Sequence, residues 1–327
     1  MSRRARSIGL VLIALLLSST QIASAQVRFR FAHTLSSEDP GHLALVEFAK
    51  RTAEKTAGAV QIDLFPAGQL GNDPQILDGI KLGTIDMGMA GNPFYSGFAP
   101  EMNVLDLPYL FRDYEHAYKV VDGPIGAEVF RAVERSGLKG LGSLEIGFRE
   151  LTNSKRPVKT PADLKGLKIR TTPNPAHMQA FRLLGANPVP MPFTEVYLAL
   201  KMGTTDGQEN PLTLIEANKF YEAQKYLSLT RHAYTVNDVV MNLQKYEGLK
   251  PEYRTALHQA IHEAVVWQRK LDREIEGRGL AKMKAAGVQV EEKPDIDAFR
   301  QVVADAVAEE YIKKFGRETL DRIRATR

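Results

Sequence analysis

The chain has 327 residues, no cysteine and a formal net charge of +4. The missing cysteines exclude disulfides, thiolate nucleophiles and Cys-based zinc sites, and the small net charge argues against a nucleic-acid-binding face. A chain of this length can bury two cores of ordinary size.

The N-terminal segment has the pattern of an export signal. Three arginines within the first six residues precede an apolar run at 8–17, and Ala23-Ser24-Ala25 is typical of a cleavage site. The apolar run is short for a membrane span, which disfavours a retained anchor. We expect a signal peptide at 1–25 and a periplasmic mature chain, whose net charge is about +1 because +4 loses three arginines.

Strand and helix patterns alternate along the rest of the chain, which is typical of open α/β sheets. The expected strands are 27–32, 60–65, 84–90, 138–146, 167–171, 228–235, 237–242 and 287–290. The expected helices are 42–57, 74–83, 114–136, 215–227, 251–286 and 295–315. We expect the chain to cross into a second domain near residue 147 and to return, so that the two domains are interleaved.

Polar side chains follow the first strands of the expected sheet. Ligands of open α/β sheets bind beyond the carboxyl ends of strands. His33 and Thr34 follow the first strand, Gln69 and Asp73 lie in the loop after the second, and Asn92 follows the third. These five residues are the candidate polar contacts of the first domain.

A candidate anion site follows the strand at 167–171. Arg170 lies at its carboxyl end, and Asn174 is placed to cap the next helix, with Pro175 in the first turn. A helix N-terminus beside an arginine attracts anions. By position alone, Arg170 and Arg149 are more often surface side chains than ligand contacts.

The segment 185–212 contains an unusual polar run. Three alternate prolines, ending at Pro192, hold the chain extended, and Thr194 is expected to cap a short helix that ends at Gly203. The polar residues at 204–210 then lie between apolar-rich segments. This setting favours specific hydrogen bonds over a solvated loop.

Several catalytic and metal-binding interpretations fail on the residues. Gly140-Leu141-Gly142 is not a dinucleotide loop, because Glu145 replaces the third glycine. His33 and His42 have no further metal-binding side chain near them in the sequence. His258 and His262 have a spacing that can bind a metal, but the second histidine of the zinc-hydrolase motif H-E-x-x-H is absent. With no nucleophile elbow or P-loop, we expect a binding protein without cofactor or metal.

The chain closely resembles the DctP-type solute receptors of tripartite ATP-independent periplasmic (TRAP) transporters. The resemblance covers nearly all of the mature chain. Its motifs are Phe65-Pro66-Ala67-Gly68-Gln69-Leu70-Gly71, Leu107-Pro108-Tyr109-Leu110-Phe111, Pro188-Val189-Pro190-Met191-Pro192-Phe193, Glu195-Val196-Tyr197-Leu198-Ala199-Leu200 and Asp206-Gly207-Gln208-Glu209-Asn210-Pro211.

The resemblance implies a two-lobed periplasmic binding protein of α/β class (type II-like). Two open mixed sheets with flanking helices form interleaved lobes joined by a long interlobe helix. We assign residues 26–147 and about 236–276 to lobe I, and 148–235 and about 277–327 to lobe II. We expect a monomer that closes on its ligand like a hinge.

The resemblance also assigns roles to four residues. Arg170 matches the family's carboxylate clamp, Arg149 its supporting arginine, and Asn210 its carboxylate-binding asparagine. A guanidinium fork holds both carboxylate oxygens at once, which a lysine cannot do. Phe193 matches a residue that packs against the ligand, although simple core packing is the alternative.

The implied function is delivery of a small organic acid to the membrane subunits of a TRAP permease. Sialic acid is disfavoured, because family members that bind it carry an acidic residue at Gly91 and an asparagine at Thr34. The remaining candidate ligands are a sugar acid, a C4-dicarboxylate and a 2-oxo acid. Two other functions stay open: a ligand sensor for a receptor kinase, and a periplasmic lyase with His33 as the only candidate base.

We predict that export removes residues 1–25, because the cleavage pattern ends at Ala25. Mass spectrometry of periplasmic material should show a chain that begins at Gln26. A full-length product retained in the membrane would contradict this prediction.

Overall fold

The computed structural model describes residues 26–327, so the predicted signal peptide lies outside the described residues. These residues form ten strands and eleven α-helices. The strands are β1 (Val27–Ala32), β2 (Val60–Phe65), β3 (Met87–Gly91), β4 (Leu138–Asn153), β5 (Lys168–Thr171), β6 (Asn187–Pro190), β7 (Gly207–Pro211), β8 (Tyr226–Ser228), β9 (Tyr234–Asn242) and β10 (Gln289–Glu291). The helices are α1 (Pro40–Lys55), α2 (Asp73–Lys81), α3 (Tyr114–Val121), α4 (Pro124–Phe130), α5 (Pro175–Leu183), α6 (Val196–Met202), α7 (Leu212–Ala217), α8 (Leu243–Glu247), α9 (Pro251–Ala285), α10 (Ile296–Phe315) and α11 (Glu318–Ala325). Within this range no helix is both long and apolar enough to cross a membrane.

The strands form two mixed sheets, as expected. The first has the order β2-β1-β3-β9-β4, with β1, β2 and β3 parallel and β9 antiparallel to both of its neighbours. The second has the order β6-β5-β7-β4-β8-β10. In it β6, β5 and β7 are parallel, β4 is antiparallel to its neighbours β7 and β8, and β10 is parallel to β8. The protein is thus a two-lobed α/β protein with one sheet in each lobe.

One long strand, β4, belongs to both sheets. Its first part runs antiparallel to β9, and residues from Arg149 onward run antiparallel to β7 and β8. The register shifts between Glu145 and Gly147, where Gly147 has φ of 115°, a conformation that glycine adopts without strain. Arg149 therefore lies at the point where β4 leaves one sheet and joins the other.

The long helix α9 was predicted nearly to the residue. It contains 35 residues and packs against α1 and β4 of the first lobe and α7 of the second. Gln268 fixes it to β4, because its side chain accepts from the backbone N–H of Glu145 at 2.9 Å and donates to its carbonyl at 2.7 Å. The lobe boundaries stay a prediction. That prediction assigns α11 to lobe II, but α11 packs on α4, beside the first sheet.

Four sequence predictions were wrong in detail, and the first is the strand expected at 228–235, where residues 229–233 separate β8 from β9. The helix expected at 114–136 is interrupted after Val121, because Pro124 lacks an N–H and holds Gly123 extended. The helix expected at 215–227 ends at Ala217, since Lys219 adopts a left-handed conformation. Thr194 caps nothing and lies inside the 3₁₀ turn Phe193–Glu195 that precedes α6.

Candidate functional site

A small cavity lies between the two sheets, near the carboxyl ends of β1, β3 and β5. Its volume is about 30 Å³, so the two lobes lie close together around it. Other hollows of about 280 to 630 Å³ open on the surface, but none of these contains a buried arginine. The cavity between the lobes is therefore the candidate site, in a closed arrangement.

Six of the ten predicted ligand residues line this cavity. They are Thr34, Asp73, Arg149, Arg170, Phe193 and Asn210. The other lining residues are Leu35, Gly91, Pro93, Phe94, Ile146, Thr172, Leu214, Thr235 and Asn237. Both lobes thus contribute polar and apolar surface to one enclosed space.

Arg149 is buried and already paired with a carboxylate. Its Nε atom donates to Glu209 Oε2, and its Nη2 atom donates to Oε1 of the same residue at 3.0 Å. His232 Nε2 lies 3.1 Å from Glu209 Oε2. Burial by itself would raise the pKa of Glu209, but Arg149 and His232 hold it well below its usual range. The positive charge of Arg149 is therefore compensated within the protein.

Residues 207–210 of the polar run belong to the buried strand β7, whereas residues 204–206 form a bend before it. Asn210 Oδ1 accepts from Arg149 Nη2 at 3.0 Å, and its Nδ2 atom donates to Gln208 Oε1 at 2.6 Å. Gln208 in turn donates to Thr152 Oγ1 at 2.9 Å. This chain of bonds orients Asn210 and accounts for polar residues between core elements.

Arg170 is completely buried in β5 but makes no ion pair within residues 26–327. Its Nε and Nη2 atoms donate to the carbonyl oxygen of Met191 at 3.2 and 2.7 Å. Its Nη1 atom has no hydrogen-bond partner in the described chain. Burial lowers the pKa of Arg170 to about 10, so the group remains charged at neutral pH. Arg170 therefore brings to the cavity a charge that no carboxylate among residues 26–327 pairs with at contact distance, in contrast to Arg149.

Asp73, the first residue of α2, lies on the first-lobe side of the cavity. Its Oδ1 atom accepts from Thr34 Oγ1 at 3.0 Å, and its buried Oδ2 atom has no partner among residues 26–327. Burial raises the pKa of Asp73 to about 6, against the opposing effects of the Thr34 bond and the charge of Arg170. The free oxygen is thus a hydrogen-bond acceptor in the cavity.

The other four predicted residues do not line the cavity. His33 Nε2 lies 3.1 Å from Nδ1 of His42, and burial followed by the effect of His42 lowers the pKa of His33 to about 3. Gln69 lies in a partly exposed turn after β2. Asn92 donates to oxygens of its own lobe, and Asn174 caps α5 as predicted.

Sequence reasoning missed three important residues. Thr235 and Asn237 lie on β9, whose place between β3 and β4 depends on pairing between distant segments. Glu209 was part of the polar run, but its pairing with Arg149 had no local signal. In the described chain, no group of three or more potential metal-ligating side chains could hold an ion.

Comparison with known proteins places this geometry in context. The family model DctP, described as bacterial extracellular solute-binding protein, family 7, matches residues 31–314. The 2,3-diketo-L-gulonate-binding periplasmic protein YiaO of Escherichia coli is 43% identical over 313 residues, which cover 96% of this chain and 95% of that protein.

Two solved structures have the same fold. A TRAP periplasmic solute-binding protein of Polaromonas, bound to D-erythronate, is 36% identical with a TM-score of 0.89, covering 92% of this chain and 99% of that one. Another from Sulfurospirillum deleyianum, with bound succinate, is 31% identical with a TM-score of 0.86, covering 93% of this chain and 100% of that one.

We predict that Glu209→Gln destabilises the protein by about 3–5 kcal/mol at neutral pH, because Arg149 would be buried without a counter-charge. Since the folded-state pKa of Glu209 is depressed, this contribution is complete above its unfolded pKa of about 4.3 and is lost as the pH falls further. Urea unfolding at about pH 7 and about pH 3.5 measures the difference between parent and variant.

Glu263→Gln is the matched control, because Glu263 pairs with Arg51 and Lys55 at the surface and its loss should change stability little. If Glu209→Gln unfolds at the same urea concentration as the parent, the buried pair does not stabilise the folded state.

Proposed function

Because the chain belongs to the DctP family of bacterial extracellular solute-binding proteins, the receptors of TRAP transporters, we propose that it binds a small organic acid between its lobes and delivers it to a membrane permease. The chain is a receptor and not an enzyme, and the family is one of extracellular, periplasmic proteins. The observation that carries the proposal is the buried Arg170, which has no contact ion pair among residues 26–327 and whose Nη1 atom has no hydrogen-bond partner there.

The ligand's carboxylate is the counter-charge that Arg170 lacks. The bonds to Met191 occupy one edge of the guanidinium, which leaves Nη1 and the second hydrogen of Nη2 for both oxygens of a carboxylate. Arg149 supports this clamp by orienting Asn210, whose side chain also lines the cavity. Phe193 covers the site with apolar surface. Together, these contacts support recognition of one carboxylate at the second-lobe side.

The opposite side of the cavity favours a hydroxylated ligand with one carboxylate. Asp73 offers an unpaired acceptor oxygen there, and Thr34 and Asn237 add further polar groups. A second carboxylate would meet the charge of Asp73, and Arg149, the other arginine that lines the cavity, is already compensated by Glu209. We therefore favour a small sugar acid over a C4-dicarboxylate, with a hydroxyl that donates to Asp73.

The clamp predicts a graded loss of affinity. Arg170→Ala should weaken binding of the acid about a hundredfold to several thousandfold, since an unpaired buried charge costs about 3–5 kcal/mol. Arg170→Lys should also lose much of the affinity, because it keeps the charge without the fork. Asn210→Ala should cost about 1.5–3 kcal/mol. Calorimetry on folded variants, with a panel of sugar acids and dicarboxylates, measures these changes.

Arg182→Ala is the control for this series, because Arg182 is an exposed arginine on the same lobe. If Arg170→Ala binds within about threefold of the parent while Arg149→Ala abolishes binding, the two arginines have the opposite roles. If neither change matters, the protein does not recognise its ligand through this clamp.

Asp73 predicts the selectivity between acid classes. In Asp73→Asn, affinity for an aldonate such as D-erythronate should fall, because the charged acceptor of its hydroxyl is lost. Affinity for succinate should rise, because the repelling charge is gone. Calorimetric titration of both acids should show the aldonate-to-succinate preference reduced about tenfold or more. An unchanged preference would remove Asp73 from the explanation of selectivity, while leaving the Arg170 clamp unaffected.

A further inference from the structure

A second buried polar cluster joins the two lobes outside the cavity. The Nδ2 atom of Asn174 lies 2.9 Å from Asp106 Oδ2 and 2.9 Å from Asn103 Oδ1. It also lies 3.3 Å from Ser96 Oγ. Asn174 and Asp106 are completely buried, and neither lines the cavity. Amide and carboxyl groups this deeply buried need such partners, because an unpaired buried polar group is costly.

The partners come from opposite lobes. Asn174 caps α5, which packs on β5 and β6 of the second sheet. Asp106 and Asn103 lie in the 3₁₀ turn Pro100–Asp106, and Ser96 lies in the turn Asn92–Gly97 that follows β3 of the first sheet. The bonds from Asn174 therefore run between segments that belong to different lobes.

The side chain of Asn174 has no capacity left for a ligand. Its Oδ1 atom accepts from the backbone N–H groups of Ala176 and His177 at 2.8 and 3.2 Å, and its Nδ2 atom makes the bonds between the lobes. Asp106 Oδ2 also accepts from Asn92 Nδ2 at 2.7 Å, which fixes the carboxyl group within the first lobe. A preorganised acceptor thus faces a preorganised donor.

We propose that Asn174 and Asp106 form a latch that holds the two lobes closed and sets the affinity of the site without touching the ligand. This inference rests on the proposed closure of the lobes around an acid. Apparent affinity scales with the fraction of molecules in the binding-competent state. The latch raises that fraction, so it slows ligand release and leaves the contacts of Arg170 unchanged.

Asn174→Ser separates the latch from the helix cap. Serine caps helices as well as asparagine does, but it is too short to reach Asp106 and has no amide donor. We expect the variant to have a larger radius of gyration than the parent in small-angle scattering, both without ligand and with D-erythronate present. For D-erythronate as the probe, we expect dissociation about tenfold faster, with a melting temperature of the ligand-free protein close to that of the parent.

A swap of donor and acceptor gives a result that a merely structural role would not. Asn174→Asp keeps the cap but places one acceptor opposite another, so it should open the protein more than Asn174→Ser does. Adding Asp106→Asn restores a donor opposite an acceptor, and the double variant should return toward the compact shape and slow dissociation of the parent.

The outcomes separate this inference from the proposed function. If Asn174→Ser and Asn174→Asp match the parent in scattering, both without ligand and with D-erythronate, the latch is wrong even if acids bind. If no acid binds the parent but the variants still open and the double variant closes, the latch holds and the proposed ligand class is wrong. If the double variant stays as open as Asn174→Asp, the contact between residues 174 and 106 does not control closure.

Discussion

The organisation of the site depends on the buried ion pair between Arg149 and Glu209. It forms where β4 passes from one sheet to the other, so the same contact connects the long strand to β7 and places Asn210. A buried pair is weak evidence of net stabilisation, because desolvation of both charges offsets their attraction. Its clearer consequence is electrostatic. With Arg149 compensated, the two arginines differ in kind, and only Arg170 retains a charge for a ligand.

The fold was largely predictable from the sequence, because local patterns define most elements. The strands β1 and β2, the helix α9 and the cap of α5 by Asn174 follow from periodicity and capping residues. The errors occur where one residue overrides the pattern, as Pro124 and Lys219 do. Periodicity and capping residues therefore predict where an element lies. They do not show where a single residue interrupts a helical pattern.

The candidate site was predictable only in part. Residues at strand ends or in family motifs, such as Arg170, Asn210 and Thr34, do meet in one cavity. His33 and Asn174 share that position in the chain, yet the hydrogen bonds that their side chains make go to His42 and to Asp106 and not into the cavity. Thr235 could not be placed, because its strand enters the first sheet from far along the chain. Partner choice among buried polar groups is a three-dimensional property that spacing does not encode.

The pairing of β3 with β9 has a consequence for how the chain must be made. Met87 lies opposite Met241, which is 154 positions further along the chain. The first sheet therefore cannot be completed until most of the chain has been synthesised, and neither lobe is a continuous unit that folds alone. Contacts of such long range slow folding, because a large loop must close before they form. Slow completion of the fold is compatible with the extracellular location of the family, because a chain that has not yet folded can still be exported.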